Sequence, residues 1–191
     1  MQFFEGTPVI AAIWTADMLR KAINSPASTL FLLRTDILTL GDDIQQARRA
    51  GKKAFVHIDL TDGLGKDYAG VSYLARMGVS GIISTRANLI RLARELDLET
   101  VQRFFIVDSH SIDTAVDSVN FVHPDMVEVM PGVVPKIIHR FCMRVKNSVI
   151  AGGLIETREE IIAACEAGAA AVSTTKEELW YTGDIVRRQD G

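Results

Sequence analysis

The amino-acid sequence predicts an α/β fold, a compact (β/α)8 TIM barrel with short loops, and three observations carry that expectation. β-rich runs recur at nearly even spacing along the 191 residues, each interval matching one strand, one helix and two turns. Amphipathic stretches with apolar residues at i, i+3 and i+4 fill the intervals. Turn and cap signals fall where strand and helix patterns meet.

The eight predicted strands are Val9–Ile13, Thr29–Leu33, Ala54–Leu60, Gly81–Ser84, Val101–Val107, Met126–Met130, Ser148–Ala151 and Ala169–Thr174. Between them, Asp43–Ala50 and Leu89–Leu96 show the helical period plainly. Gly51, Gly78 and Gly168 each follow a predicted helix, where a left-handed residue costs a glycine least. Thr157 with Glu160, and Thr175 with Glu178, have capping-box spacing. No Pro/Gly/Ser-rich linker divides the chain, so one barrel domain is expected over 1–180, with a polar C-terminal tail over 181–191. Eight such units admit a closed barrel or an open doubly wound sheet. The even repeat, with no detour where strand order would reverse, favours the barrel. Such barrels typically take about 250 residues, so these loops must be terse.

The chain is 48% hydrophobic and 24% charged, which excludes collagen-like, disordered and disulfide-scaffold classes. With 24 acids against 21 bases the formal charge is -3, so nucleic-acid binding would need a local patch. Cys142 and Cys165 lie in helical patterns without metal-ligand spacing, and the cytoplasm is the expected compartment. Met1–Glu5 lacks the features of a signal peptide. The longest apolar run, Pro8–Trp14, falls far below the roughly 18 residues that span a bilayer. No membrane partner is expected.

Chemistry in this fold sits at the C-terminal ends of the strands. Alternation along the third strand separates His57 and Asp59 from Val56, Ile58 and Leu60, turning the polar pair into the lumen. The fifth strand puts Arg103, Phe105 and Val107 on one face, and the sixth sets Glu128 between Val127 and Val129. His57, Asp59, Arg103 and Glu128 would then meet inside, either as an ion-pair network around Arg103 or as ligand contacts, because buried charges must be paired. The seventh and eighth strands end in Gly152-Gly153 and Ser173-Thr174. At these positions glycine amides and hydroxyls suit a phosphate, the alternative being a tight turn. Ser84, Thr85 and Arg86 end the fourth strand, as ligand contacts or as a helix cap.

Several chemistries lack candidates. No lysine ends a predicted strand, since Lys52 and Lys53 precede the third, so a Schiff base has no donor. The four histidines show no metal-ligand spacing and no nucleophile elbow is present. No catalytic residue, metal or cofactor is therefore assigned, although His57 with Asp59 leaves acid–base chemistry on a small phosphorylated substrate open.

At these residues the chain resembles the glycerol-3-phosphate-responsive antiterminators. The likeness rests on His57-Ile58-Asp59-Leu60, Gly63-Leu64, Gly81 to Arg86, Gln102 to Phe105, Asp108-Ser109, Pro131-Gly132 with Pro135, Ala151 to Ile155, and Val172-Ser173-Thr174. It runs in order from about Pro8 to Trp180. The resemblance implies a (β/α)8 barrel that takes glycerol 3-phosphate as effector and acts on leader mRNA of glycerol-utilisation operons, preventing premature termination. Two residues depart from it: Trp14 stands where a basic residue is expected, and Asp62 where Glu or Gln is. An RNA surface must be inferred. Lys136, Arg140 and Arg144, four apart, would form a stripe along one helix, the alternative being a solvated face. Arg48, Arg49, Lys52 and Lys53 form a second basic group. Homo-oligomerisation remains open, as does a barrel sensor without RNA binding.

Overall fold

A computed structural model describes residues 7–182. The strands are β1 Val9–Ile13, β2 Thr29–Leu32, β3 Thr35–Asp36, β4 Lys53–His57, β5 Thr61–Asp62, β6 Gly81–Ser84, β7 Glu99–Phe105, β8 Met126–Met130, β9 Ser148–Gly152 and β10 Ala171–Thr174. The helices are α1 Ala16–Ile23, α2 Leu40–Arg49, α3 Tyr68–Met77, α4 Ala87–Glu95, α5 Ser109–Val122, α6 Pro135–Cys142 and α7 Arg158–Glu166. Eight strands close a parallel barrel in the order β1-β10-β9-β8-β7-β6-β4-β2, and β3 pairs with β5 in a separate small sheet. No helix among the described residues is long and apolar enough to cross a membrane.

Strand alternation sorts the apolar residues into two layers. Val9, Ala11 and Ile13 of β1 join Leu30, Val56, Ile82 and Val172 in packing outward against Leu19, Ile44, Leu74 and Leu89 of the helices. Ile10, Phe31, Phe55, Ile83, Val101, Met126 and Ile150 fill the lumen instead. Phe31 and Phe55 meet there edge-on at 5.7 Å, a favoured aromatic geometry. The barrel is thus plugged by apolar side chains at its middle, with the Lys53–Glu99 ion pair at the lower end and the larger polar cluster at the upper end.

The eighth unit ends differently from the other seven. In place of an α-helix, β10 is followed by a 3-10 helix over Glu177–Tyr181, so the Thr175 and Glu178 capping box does not form. Trp180 anchors this turn: it is buried, and its indole N–H donates to the Thr174 carbonyl at 2.9 Å. The Thr157–Glu160 box does form, with both reciprocal bonds present. The predicted tail lies, from residue 183 on, outside the described residues.

Candidate ligand site at the barrel mouth

The mouth has two polar sides. On the first, Arg103 of β7 and Glu128 of β8 are register partners, placed one inward step above the lumen residues Val101 and Met126. The Glu128 carboxylate is completely buried. Its Oε2 accepts from Arg103 Nε at 2.5 Å and its Oε1 accepts from Ser173 Oγ at 2.6 Å. Charge-assisted bonds on both oxygens are what make a desolvated ion pair tolerable here. Gly152 is required beside it, because an added Cβ would strike Glu128 Oε1 and come within 2.7 Å of Ser173 Oγ.

Among the described residues Arg103 spends only Nε on hydrogen bonds, so its terminal amino groups remain as donors. Arg103 and Glu128 line a cavity of about 330 Å³ with Gly153, Ser173 and Thr174. Ala12, Trp14, Leu33, Met130 and Leu154 supply apolar walls, and Glu156 and Lys176 stand among the polar ones. The Lys176 ammonium pairs with Glu156 at 3.1 Å. Thr174 ties the two flanking loops together, donating to the Ile155 carbonyl at 2.8 Å and accepting from the Lys176 N–H at 3.1 Å. After β9 the chain turns through Gly153 at φ 79° and Leu154 at φ 63°. The glycine adopts this left-handed backbone freely, while the leucine does so against its preference.

On the second side the strand predicted through Leu60 stops at His57, and Ile58–Leu60 forms a 3-10 turn. Asp59 therefore reaches the mouth on a turn and not by strand alternation. Its carboxylate accepts from Ser84 Oγ at 3.0 Å, Thr85 N–H at 2.8 Å and Thr85 Oγ at 3.2 Å, and lies 3.4 Å from Arg86 Nε. These bonds brace the turn after β4 against the loop after β6. Ser84 Oγ also accepts from the Arg86 N–H at 3.0 Å, just before α4. His57 is buried, and its Nδ1 has no hydrogen-bond partner. That nitrogen lies 4.0 Å from Asp59 Oδ2, beyond hydrogen-bond reach. Burial, reinforced by the Arg103 guanidinium, lowers the His57 pKa to about 4, so the ring is neutral at pH 7.

The residues expected at the site are thus divided. Arg103, Glu128, Gly153, Ser173 and Thr174 line the 330 Å³ cavity, and His57, Asp59, Ser84, Arg86 and Gly152 do not. Phe105 and Val107, expected on the Arg103 face, are exposed at the rim, Val107 beyond the end of β7. Lys176 lines the cavity although no lysine ends a strand; it lies two residues past β10, and that closeness to Thr174 is the signal the sequence carries. Asp62 reaches towards Arg34, 3.5 Å away, over the small β3–β5 sheet. The predicted basic stripe is shorter than expected, since α6 ends at Cys142 and Arg144 lies beyond it, paired with Asp113. No group of three or more His, Cys, Asp or Glu able to hold a metal ion occurs among the described residues.

A family model and two solved structures about 31% identical carry the same family description. Residues 9–180 match the model described as glycerol-3-phosphate responsive antiterminator. The protein YgcP of Escherichia coli K12 is 35% identical over 177 residues, 91% of each chain. The structure of a glycerol uptake operon antiterminator regulatory protein from Listeria monocytogenes superposes with a TM-score of 0.89 at 31% identity, covering 94% of this chain and 97% of that one. A glycerol uptake operon antiterminator-related protein from Thermotoga maritima gives 0.80 at 31% identity, covering 92% and 98%.

Proposed function

The chain belongs to the glycerol-3-phosphate responsive antiterminator family, and we propose that it is a cytoplasmic regulator that takes glycerol 3-phosphate in the mouth cavity and acts on leader mRNA of glycerol-utilisation operons. One observation carries this reading: a buried guanidinium, fixed by Glu128 through Nε alone, leaves its other donors beside Gly153 in that cavity. A phosphate would take those donors as paired charge-assisted bonds, with the Lys176 ammonium as a second cation. Glu128 already accepts one bond on each oxygen, and its main role is to orient Arg103. Asp59 is occupied in the same sense, which makes it a brace between loops.

Ligand can favour an RNA-competent state only by binding that state more tightly. The loop Gly153–Glu156 suits the task, because it lines the cavity and its Glu156 holds Lys176. Acid–base catalysis by His57 and Asp59 fits less well, since the two do not bond and neither lines the cavity. The test is retention of operon leader RNA in a gel shift with and without glycerol 3-phosphate, alongside NMR of the ligand. Ligand-dependent retention with unchanged ligand is the expected result. Turnover of the ligand, or RNA retention indifferent to it, would contradict the reading.

A further inference from the structure

Beside the ligand cavity lies a second recess, of about 240 Å³, lined by Phe105, Ile106, Val107, Met130, Pro131, Gly153 and Leu154. Its rim is apolar and open: Phe105 is 59% exposed, Val107 84% and Leu154 70%. We propose that this recess is the docking surface for single-stranded RNA, with Phe105 as a stacking platform and Lys136 and Arg140 as phosphate contacts. The proposal rests on the RNA-binding reading above and adds where the RNA sits.

The charge around the recess selects this occupant. Arg140 of α6 donates to Ser109 Oγ at 3.3 Å, two residues past Val107. Lys136 precedes Arg140 by one helical turn, and both side chains are exposed and outside any ion pair among the described residues. Two acids stand in this region: Asp108 accepts from the Ser111 N–H at the start of α5, and Asp113 bonds Arg144 and also feels the Arg140 charge. An exposed ring with two cations on the neighbouring α6, neither held in an ion pair among the described residues, matches a chain of flat bases carrying phosphates. A purely apolar protein surface would leave both cations to be desolvated without a counter-charge.

The recess also adjoins the effector site, because Met130, Gly153 and Leu154 line both cavities. A ligand that resets Gly153–Leu154 on one side reshapes the other. The left-handed Leu154, an unfavourable backbone state for leucine, marks the residue with most to gain from a rearrangement.

The test is fluorescence anisotropy with labelled leader RNA, and with a random-sequence single-stranded 20-mer at low salt, each with and without 1 mM glycerol 3-phosphate. Phe105→Ala and the double variant Lys136→Glu, Arg140→Glu are expected to weaken binding roughly tenfold or more. Arg49→Glu, in the basic group at the opposite end of the barrel, should bind as the parent does. Parent-like binding by the rim variants, or equal weakening by Arg49→Glu, would overturn the proposed surface while leaving RNA binding intact. No binding by the parent to either RNA would instead remove the RNA reading itself. Sedimentation separates the remaining case: a dimer that Phe105→Ala dissociates would assign the recess to a second copy and overturn the proposal.

Discussion

Two carboxylates stand three strands apart at the barrel mouth, and they are used differently. Glu128 is sealed inside, bonded to a guanidinium that still has donors to offer a cavity. Asp59 sits on a turn near the surface, and its partners Ser84, Thr85 and Arg86 run consecutively from the end of β6 to the start of α4. A closed ring of bonds braces a structure, and an unfinished one invites a ligand. On the proposed reading the β7–β8–β10 side binds the ligand, and the β4–β6 side is its abutment.

Removing each carboxylate gives the largest contrast. Glu128→Ala strands a buried Arg103 charge and should cost about 3–5 kcal/mol in denaturant unfolding. Asp59→Ala should cost about 1–3 kcal/mol, because the half-exposed Arg86 can turn to water while the buried Ser84 hydroxyl loses its acceptor. Equal losses would erase the distinction between the two sides.

The imidazole between them reports on the same electrostatics. A His57 pKa near 4 in the fold, against roughly 6.5 unfolded, means that the unfolded chain binds the extra proton between those values. Stability should therefore fall as pH drops from about 6.5 to 4, by about 3 kcal/mol from this group. His57→Gln should lose that part of the pH dependence; an unchanged profile would show that the ring is not held neutral. Gly152→Ala, which crowds Glu128 and Ser173, should cost about 1–3 kcal/mol as an overpacked site and weaken ligand binding with it. Lys176→Met sharpens the comparison at its small end. Stability should move by no more than about 0.5 kcal/mol at this half-exposed position, while affinity for the phosphorylated ligand falls.

Much of this was legible in the sequence where the backbone is regular. Strands β7 and β8 run straight through Arg103 and Glu128, so two-residue alternation placed both side chains inside. It misled at Asp59, where Ile58-Asp59-Leu60 alternates like a strand yet coils into a 3-10 turn. Arg144 failed for a related reason: the four-residue spacing continues past Cys142, but the helix does not. Gly152-Gly153 at the end of β9 suggests phosphate-facing amides or a tight turn, yet nothing in residue type announces a leucine at positive φ beside it. The closure of Asp59 and the openness of Arg103 depend on which donors face which oxygens, and composition and spacing do not encode that.

The account is tested most directly by ligand-induced thermal stabilisation of the parent chain, Asp59→Asn and Gly153→Asp, each with glycerol 3-phosphate, glycerol and inorganic phosphate. At a hundredfold excess over Kd a bound ligand adds about 2.7 kcal/mol, several degrees of Tm for a chain of this length. The binding side predicts that shift with glycerol 3-phosphate for the parent and Asp59→Asn, and its loss in Gly153→Asp. Stabilisation that survives in Gly153→Asp but vanishes in Asp59→Asn would move the ligand to the other side of the mouth.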